Sequence, residues 1–135
     1  MPAKAAPAKS SQPSVYDQLE ALLKKYEPPF QPWPAYKVAS KRSYGLWNKK
    51  DVEIAGRKFP GVYFASVIEQ KAYVGFYYMF VYMQPEIKKQ LSPALAKQLK
   101  GKSCFHIKKL DASLLADVKA ALDLAVKCYK KNGWL

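Results

Sequence analysis

Few residues in this chain have the chemistry and the spacing to act together. Cys104 and His106 stand two apart, which on a strand puts a thiol and an imidazole on one face. Such a pair could begin a metal site or an activated nucleophile. Neither finds a third member nearby, and the other cysteine, Cys128, falls on a predicted helix. The pair therefore reads as a small hydrophobe beside a hydrogen-bonded imidazole. Asp17 and Glu20, three apart on another predicted helix, share a face and could hold a hard cation through oxygen. Lys24 and Lys25 oppose that, and an acid near a helix N-terminus already has a role with the dipole. Gly101-Lys102-Ser103 ends like a phosphate-binding loop. The full pattern needs glycine where Ala96 stands, with a strand before and a helix after, and here that order is reversed. No Gly-x-Ser-x-Gly, His-Glu-x-x-His or dinucleotide glycine fingerprint occurs.

Basic residues come as doublets: Lys24-Lys25, Lys41-Arg42, Lys49-Lys50, Arg57-Lys58, Lys88-Lys89, Lys108-Lys109 and Lys130-Lys131. Adjacent strand residues point to opposite faces, so a doublet makes a patch only in a turn. Interleaved with Tyr44, Trp47 and Phe59, these could form a phosphate-and-stacking surface for single-stranded nucleic acid. No helix-turn-helix or RNA-recognition signature accompanies them, and a solvated basic surface accounts for them as well.

The chain that must position these groups has 135 residues, half of them hydrophobic, with 23 Lys and Arg against 10 acids. That is one domain with a sizeable core, not a wholly disordered chain. Its net charge of +13 favours anionic partners. Two cysteines and one histidine are too few for a disulfide framework or a closed zinc site. No run approaches the length needed to span a bilayer, so no membrane is expected and the compartment reads as cytoplasmic. Residues 1–14 are Ala, Pro, Lys, Ser and Gln without an apolar block, which predicts a disordered basic tail before one domain over 15–135.

A first helix is expected over 15–26. Ser14 is its N-cap, Asp17 imitates a capping box, and Val15, Leu19, Leu22, Leu23 and Tyr26 form an apolar stripe stopped by Pro28-Pro29. Residues 28–36 read as an extended crossing whose rings Phe30, Trp33 and Tyr36 pack on the body. Strands are expected over 38–47, with Gly45 a bend or bulge, and over 52–55, 61–68 and 72–83; the turn Glu69-Gln70-Lys71 makes the last two an antiparallel pair. Pro85 opens a short helical piece. Ser92-Pro93 caps another over 94–100, closed by Gly101. A short β-like run at 103–108 precedes a final helix capped by Asp111, running to Lys131 and ended by Gly133. Helix, meander, helices is the order of an α+β domain with helices packed on an antiparallel sheet.

The strand predicted at 72–83 is apolar on both faces. Val74, Phe76, Tyr78, Phe80 and Tyr82 alternate with Tyr73, Gly75, Tyr77, Met79 and Val81. A strand wet on one side alternates with polar residues. Something must therefore cover the second face: the chain's own Phe30 and Trp33, a ligand, or a second subunit.

Three phrases carry a family resemblance: Gly61-Val-Tyr-Phe-Ala, Tyr73-Val-Gly-Phe-Tyr-Tyr-Met79, and Leu99-Lys-Gly-Lys-Ser-Cys-Phe-His-Ile-Lys-Lys-Leu-Asp111. With them the chain resembles the bacterial YdhG-like family, domain of unknown function 1801, over roughly 15–134. The resemblance implies a frataxin-like α+β fold, with the N- and C-terminal helices on one face of the sheet. It also implies, for some members, Fe(II) delivery to iron–sulfur or haem assembly. The matching acids are Asp17, Glu20 and Glu27, with Asp51 and Glu53 near the strands, and His106 is a further candidate ligand. Lys24, Lys25, Lys41, Arg42, Lys49 and Lys50 stand among them, whereas a hard cation needs net negative oxygen ligands.

The leading expectation is thus a non-enzymatic binding or interaction domain without a resident cofactor. Its site would be the aromatic second face, Tyr73, Tyr77, Tyr78 and Tyr82, edged by Lys102 and His106. An anionic or aromatic ligand, a protein side chain or a second copy of the chain would suit it. The Fe(II) chaperone is the alternative, and sequence-neutral nucleic-acid binding the third.

Overall fold

The computed structural model of the chain describes residues 14–33 and 42–135. Of the tail expected over 1–14, residues 1–13 lie outside the described residues, as do Tyr36 and the first part of the strand expected from Val38. Helix α1 is Val15–Lys24, followed by strands β1 Gln31–Pro32, β2 Ser43–Asn48, β3 Val52–Ile54, β4 Arg57–Phe59, β5 Val62–Glu69 and β6 Val74–Tyr78. Then come α2 Met79–Met83, a 3-10 turn Pro85–Gln90, α3 Pro93–Ala96, β7 Leu99–Lys100, β8 Cys104–Ile107 and α4 Ala112–Lys131. Six strands form one antiparallel sheet in the order β1-β2-β5-β6-β8-β7, and β3-β4 is a separate hairpin. The fold is α+β.

Local chemistry accounts for the helix starts. Ser14 Oγ accepts from the Asp17 amide at 3.1 Å and Asp111 Oδ1 from the Leu114 amide at 2.7 Å, each meeting an orphan donor of a first turn. Past Lys24, successive amides bond three residues back instead of four, Tyr26 to Leu23 at 2.9 Å among them. In this tightened turn the Glu27 amide takes up the Lys24 carbonyl at 3.2 Å, which Pro28, lacking an amide hydrogen, cannot.

Helices α1 and α4 cover one face of the sheet. Leu19, Leu22 and Leu23 of α1 join Val118, Leu122, Ala125 and Tyr129 of α4 over Leu46, Phe64, Val67, Phe76, Tyr78, Phe105 and Ile107. The registers Leu46↔Ala65 and Trp47↔Tyr63 leave Phe64 as the extra residue of a β-bulge, so Phe64 and Ala65 both turn inward. The irregularity thus sits one residue past Gly45, and its extra residue belongs to β5. Phe30 stacks on Phe64 with centroids 4.0 Å apart, while Trp33 lies across the sheet, 4.8 Å from Tyr63 and 6.2 Å from Trp47. The short edge strand β1 lies between them, so these two rings straddle the sheet edge instead of sharing the second face.

The predicted strand over 72–83 is corrected at its end. Pairing stops at Tyr78, and Met79–Met83 coil as a short helix. The reason lies in the two neighbours: β8 begins at Cys104, opposite Tyr77, and β5 carries the Phe64 bulge immediately past Ala65, the partner of Tyr78. Without a ladder, backbone groups pair locally, and the Gln84 amide bonds to the Phe80 carbonyl at 2.9 Å. The helix expected over 94–100 is shortened for the opposite reason. Leu99 and Lys100 find Phe105 and Cys104 across a hairpin and become β7, with Gly101 at φ +81° in the turn instead of closing a helix.

A candidate ligand-binding cleft

The pleat sends the two halves of the expected tyrosine wall to different places. Tyr73 and Tyr77 lie on the outer face with Cys104 and His106. Tyr73 stacks on the His106 imidazole at 3.8 Å between centroids and 12° between planes. Tyr77 lies over Gly75, where a Cβ would stand 3.1 Å from its ring, and opposite Cys104. Burial pushes the Cys104 thiol up against a hydrogen bond from Tyr77, so it is held protonated and weakly nucleophilic. Tyr78 points the other way, fully buried, and donates to the Ala121 carbonyl of α4. It belongs to the core and leaves the proposed wall.

Tyr82, displaced by the helical turn of α2, is 52% exposed, the exposed large hydrophobic side chain among the described residues. It lines a cleft of about 580 Å³ with Val81, Pro85, Lys88, Leu99, Gly101 and Lys102. Of the six expected ligand-binding residues, the structure brings Tyr82 and Lys102 together here, and leaves Tyr73, Tyr77 and His106 on the sheet face. The buried side chain of Val81 and the half-buried Leu99 give the cleft an apolar floor. Lys88 enters from the 3-10 turn and Lys102 from the β7–β8 turn, so two cations from separate elements face the same space. No acid lines it. Gly101 adds bare backbone, since nothing lies within 4 Å of where its Cβ would be. The doublet Lys88-Lys89 was visible in the sequence, but its approach to Lys102 depends on the β7–β8 hairpin folding back.

The acids of α1 are drawn into ion pairs. Arg42 binds the Asp17 carboxylate and lies 3.9 Å from Glu69, while Lys24 lies 3.7 Å from Glu20. Hydrogen bonding with the Ser14 hydroxyl, then with Arg42, holds Asp17 below the usual carboxylate range. Glu27 sits half-buried in the turn after α1. Among the described residues no three His, Cys, Asp or Glu side chains gather as a metal would require. A second cleft, about 510 Å³ at the β3–β4 hairpin, is lined by Asp51 and Glu53 with Lys58, Phe59 and Pro60, a mixed charge that suits an anion less well. The residues expected to interleave with lysines also scatter. Tyr44 packs against the core, Trp47 against Trp33, and Phe59 under the Arg57 guanidinium at 5.6 Å.

Among the described residues no helix is long and apolar enough to cross a membrane. Comparison of the chain with protein-family models, curated proteins and solved structures found no match.

Proposed function

We propose that this chain is a non-enzymatic binding domain that takes an anionic ligand bearing a flat or apolar group in the Tyr82–Lys88–Lys102 cleft. The carrying observation is the meeting of an exposed tyrosine with two lysines from different elements, over an apolar floor and without an acid. An aromatic ring offers a stacking face, the ammonium groups supply charge without fixed geometry, and the floor gains from desolvation. The chain's net charge of +13 draws anions toward it. A binding role also agrees with the state of the groups that catalysis would call on: His106 is engaged by Tyr73, and Cys104 is held as a thiol. The resemblance to the YdhG-like family supports the same class. The family's Fe(II) role has less support in this chain, because Asp17 and Glu20 are already matched by Arg42 and Lys24.

Thermal-shift and native mass-spectrometric screening with mononucleotides and aromatic carboxylates tests the assignment. Binding that disappears in both Tyr82→Ala and Lys102→Glu is the expected result. A set of such compounds that all fail to bind, or that bind equally well to both variants, overturns it.

A further inference from the structure

We infer that the cleft is one subsite of a longer track for single-stranded nucleic acid, with a base stacked on Tyr82 and the phosphate backbone running over Lys88, Lys89, Lys100 and Lys102. The inference rests on the ligand class proposed above and extends it from a small anion to a polyanion. Its basis is the distribution of charge. Residues 85–102 hold five lysines against one acid, Glu86, so +4 of the net +13 falls in this stretch. The same stretch supplies most of the cleft wall. Two lysines are enough for a single phosphate group. Lys89 follows Lys88 on the 3-10 turn, Lys97 ends α3, and Lys100 lies on β7, all exposed. The charge therefore continues on the elements that frame the cleft, and Lys100, paired with Cys104 and so on the opposite side of β7 from Leu99, carries it round the strand's free edge, where a charged backbone can follow it.

Among the described residues the outer edge of β7 pairs with no other strand, and β7 itself is only two residues long. An extended chain can pass there without displacing an element. The stacking surface is a single ring on a five-residue helix, which reaches an unstacked base but offers no long helix to enter a duplex groove. A second copy of this chain is the wrong occupant, because it would set lysines against lysines.

Fluorescence anisotropy of the full chain with a labelled short oligothymidylate, read against thymidine monophosphate over a salt series, tests the inference. The oligonucleotide should bind at least about tenfold more tightly than the mononucleotide, with log K falling by about 0.7 per log salt for each phosphate neutralised. Tyr82→Ala should weaken it by about tenfold with the salt slope kept, since it removes the stacking face and no charge. Lys89→Gln with Lys100→Gln, both outside the cleft lining, should flatten the slope and leave mononucleotide affinity unchanged. An oligonucleotide that binds no more tightly than the mononucleotide overturns the track and leaves the small-ligand site standing. Failure of both probes overturns both assignments. Binding indifferent to all three substitutions, or displaced equally well by polyglutamate of matched charge, reduces the effect to bulk attraction and also overturns the track.

Discussion

The phenol of Tyr78, buried in the core, donates to the main-chain carbonyl of Ala121 and ties the end of β6 to the middle of α4. Tyr129 makes the converse link, from α4 to the Tyr63 carbonyl of β5 at 2.8 Å. Helix and sheet are thus joined by a polar bond from each side within an otherwise apolar layer. Tyr78→Phe keeps the ring and removes one bond, so urea unfolding should show a loss of about 1 kcal/mol. An unchanged midpoint would mean that the hydroxyl contributes nothing net.

Alkaline pH should unfold the protein through its buried phenols. Burial pushes Tyr16 up to about 12, and raises Tyr26, Tyr78 and Tyr129 as well. The folded state therefore holds these protons more tightly than the unfolded chain, whose tyrosines titrate near about 10. Their stabilisation is complete below that pH and is lost as pH rises from there through the folded values. Phenolate absorbance should show these four titrating together with loss of circular dichroism. Smooth titration of every tyrosine in a folded chain would contradict this.

Acid has the opposite sign at Asp17. Its pKa is lowered, by the Ser14 hydroxyl first and then by Arg42, so its contribution is present above the unfolded value of about 4. That contribution is lost as pH falls through the folded value. Arg42→Ala should therefore cost stability near neutrality, by a small amount because the pair is exposed, and the difference between the two proteins should disappear as pH falls through the folded value. Equal stability of the two proteins near neutrality would show the pair to be idle.

Gly61 is a packing requirement. A Cβ there would stand 2.5 Å from the Trp47 ring and 2.8 Å from the Asn48 carbonyl oxygen, and the second of these is backbone. Gly61→Ala should cost about 1–3 kcal/mol and alter tryptophan fluorescence. Gly56, in the hairpin turn at φ +81° with open space around it, should lose only about 1 kcal/mol on the same change. Equal losses at the two sites would remove the steric account.

Tyr82→Ala separates binding from stability. More than half of the side chain is in solvent, so melting should change by no more than about 0.5 kcal/mol while binding in the cleft is lost. A large loss of stability would place Tyr82 in the core's service and weaken the case for the cleft.

Much of the framework was legible because its causes are local. Ser14, Ser92 and Asp111 each cap a helix from the position their sequence neighbours imply, and the side chain accepts an amide three residues on in all three. The β5–β6 pairing follows from composition and turn in the same way. The binding site was legible only in its members. Tyr82 and Lys102 were in the expected set, but for a strand face that does not reach Tyr82.

The chain alone thus determined which segments start helices, which residues are apolar enough to be covered, and how strongly the whole attracts anions. Each of these depends on a residue and its near neighbours. Tertiary structure decided where β6 stops, which of Tyr77 and Tyr78 is buried, and that Leu99 extends instead of coiling. A strand lasts only as far as its partners do, and those partners, Ala65 and Cys104, lie far along the chain from the residues whose fate they settle.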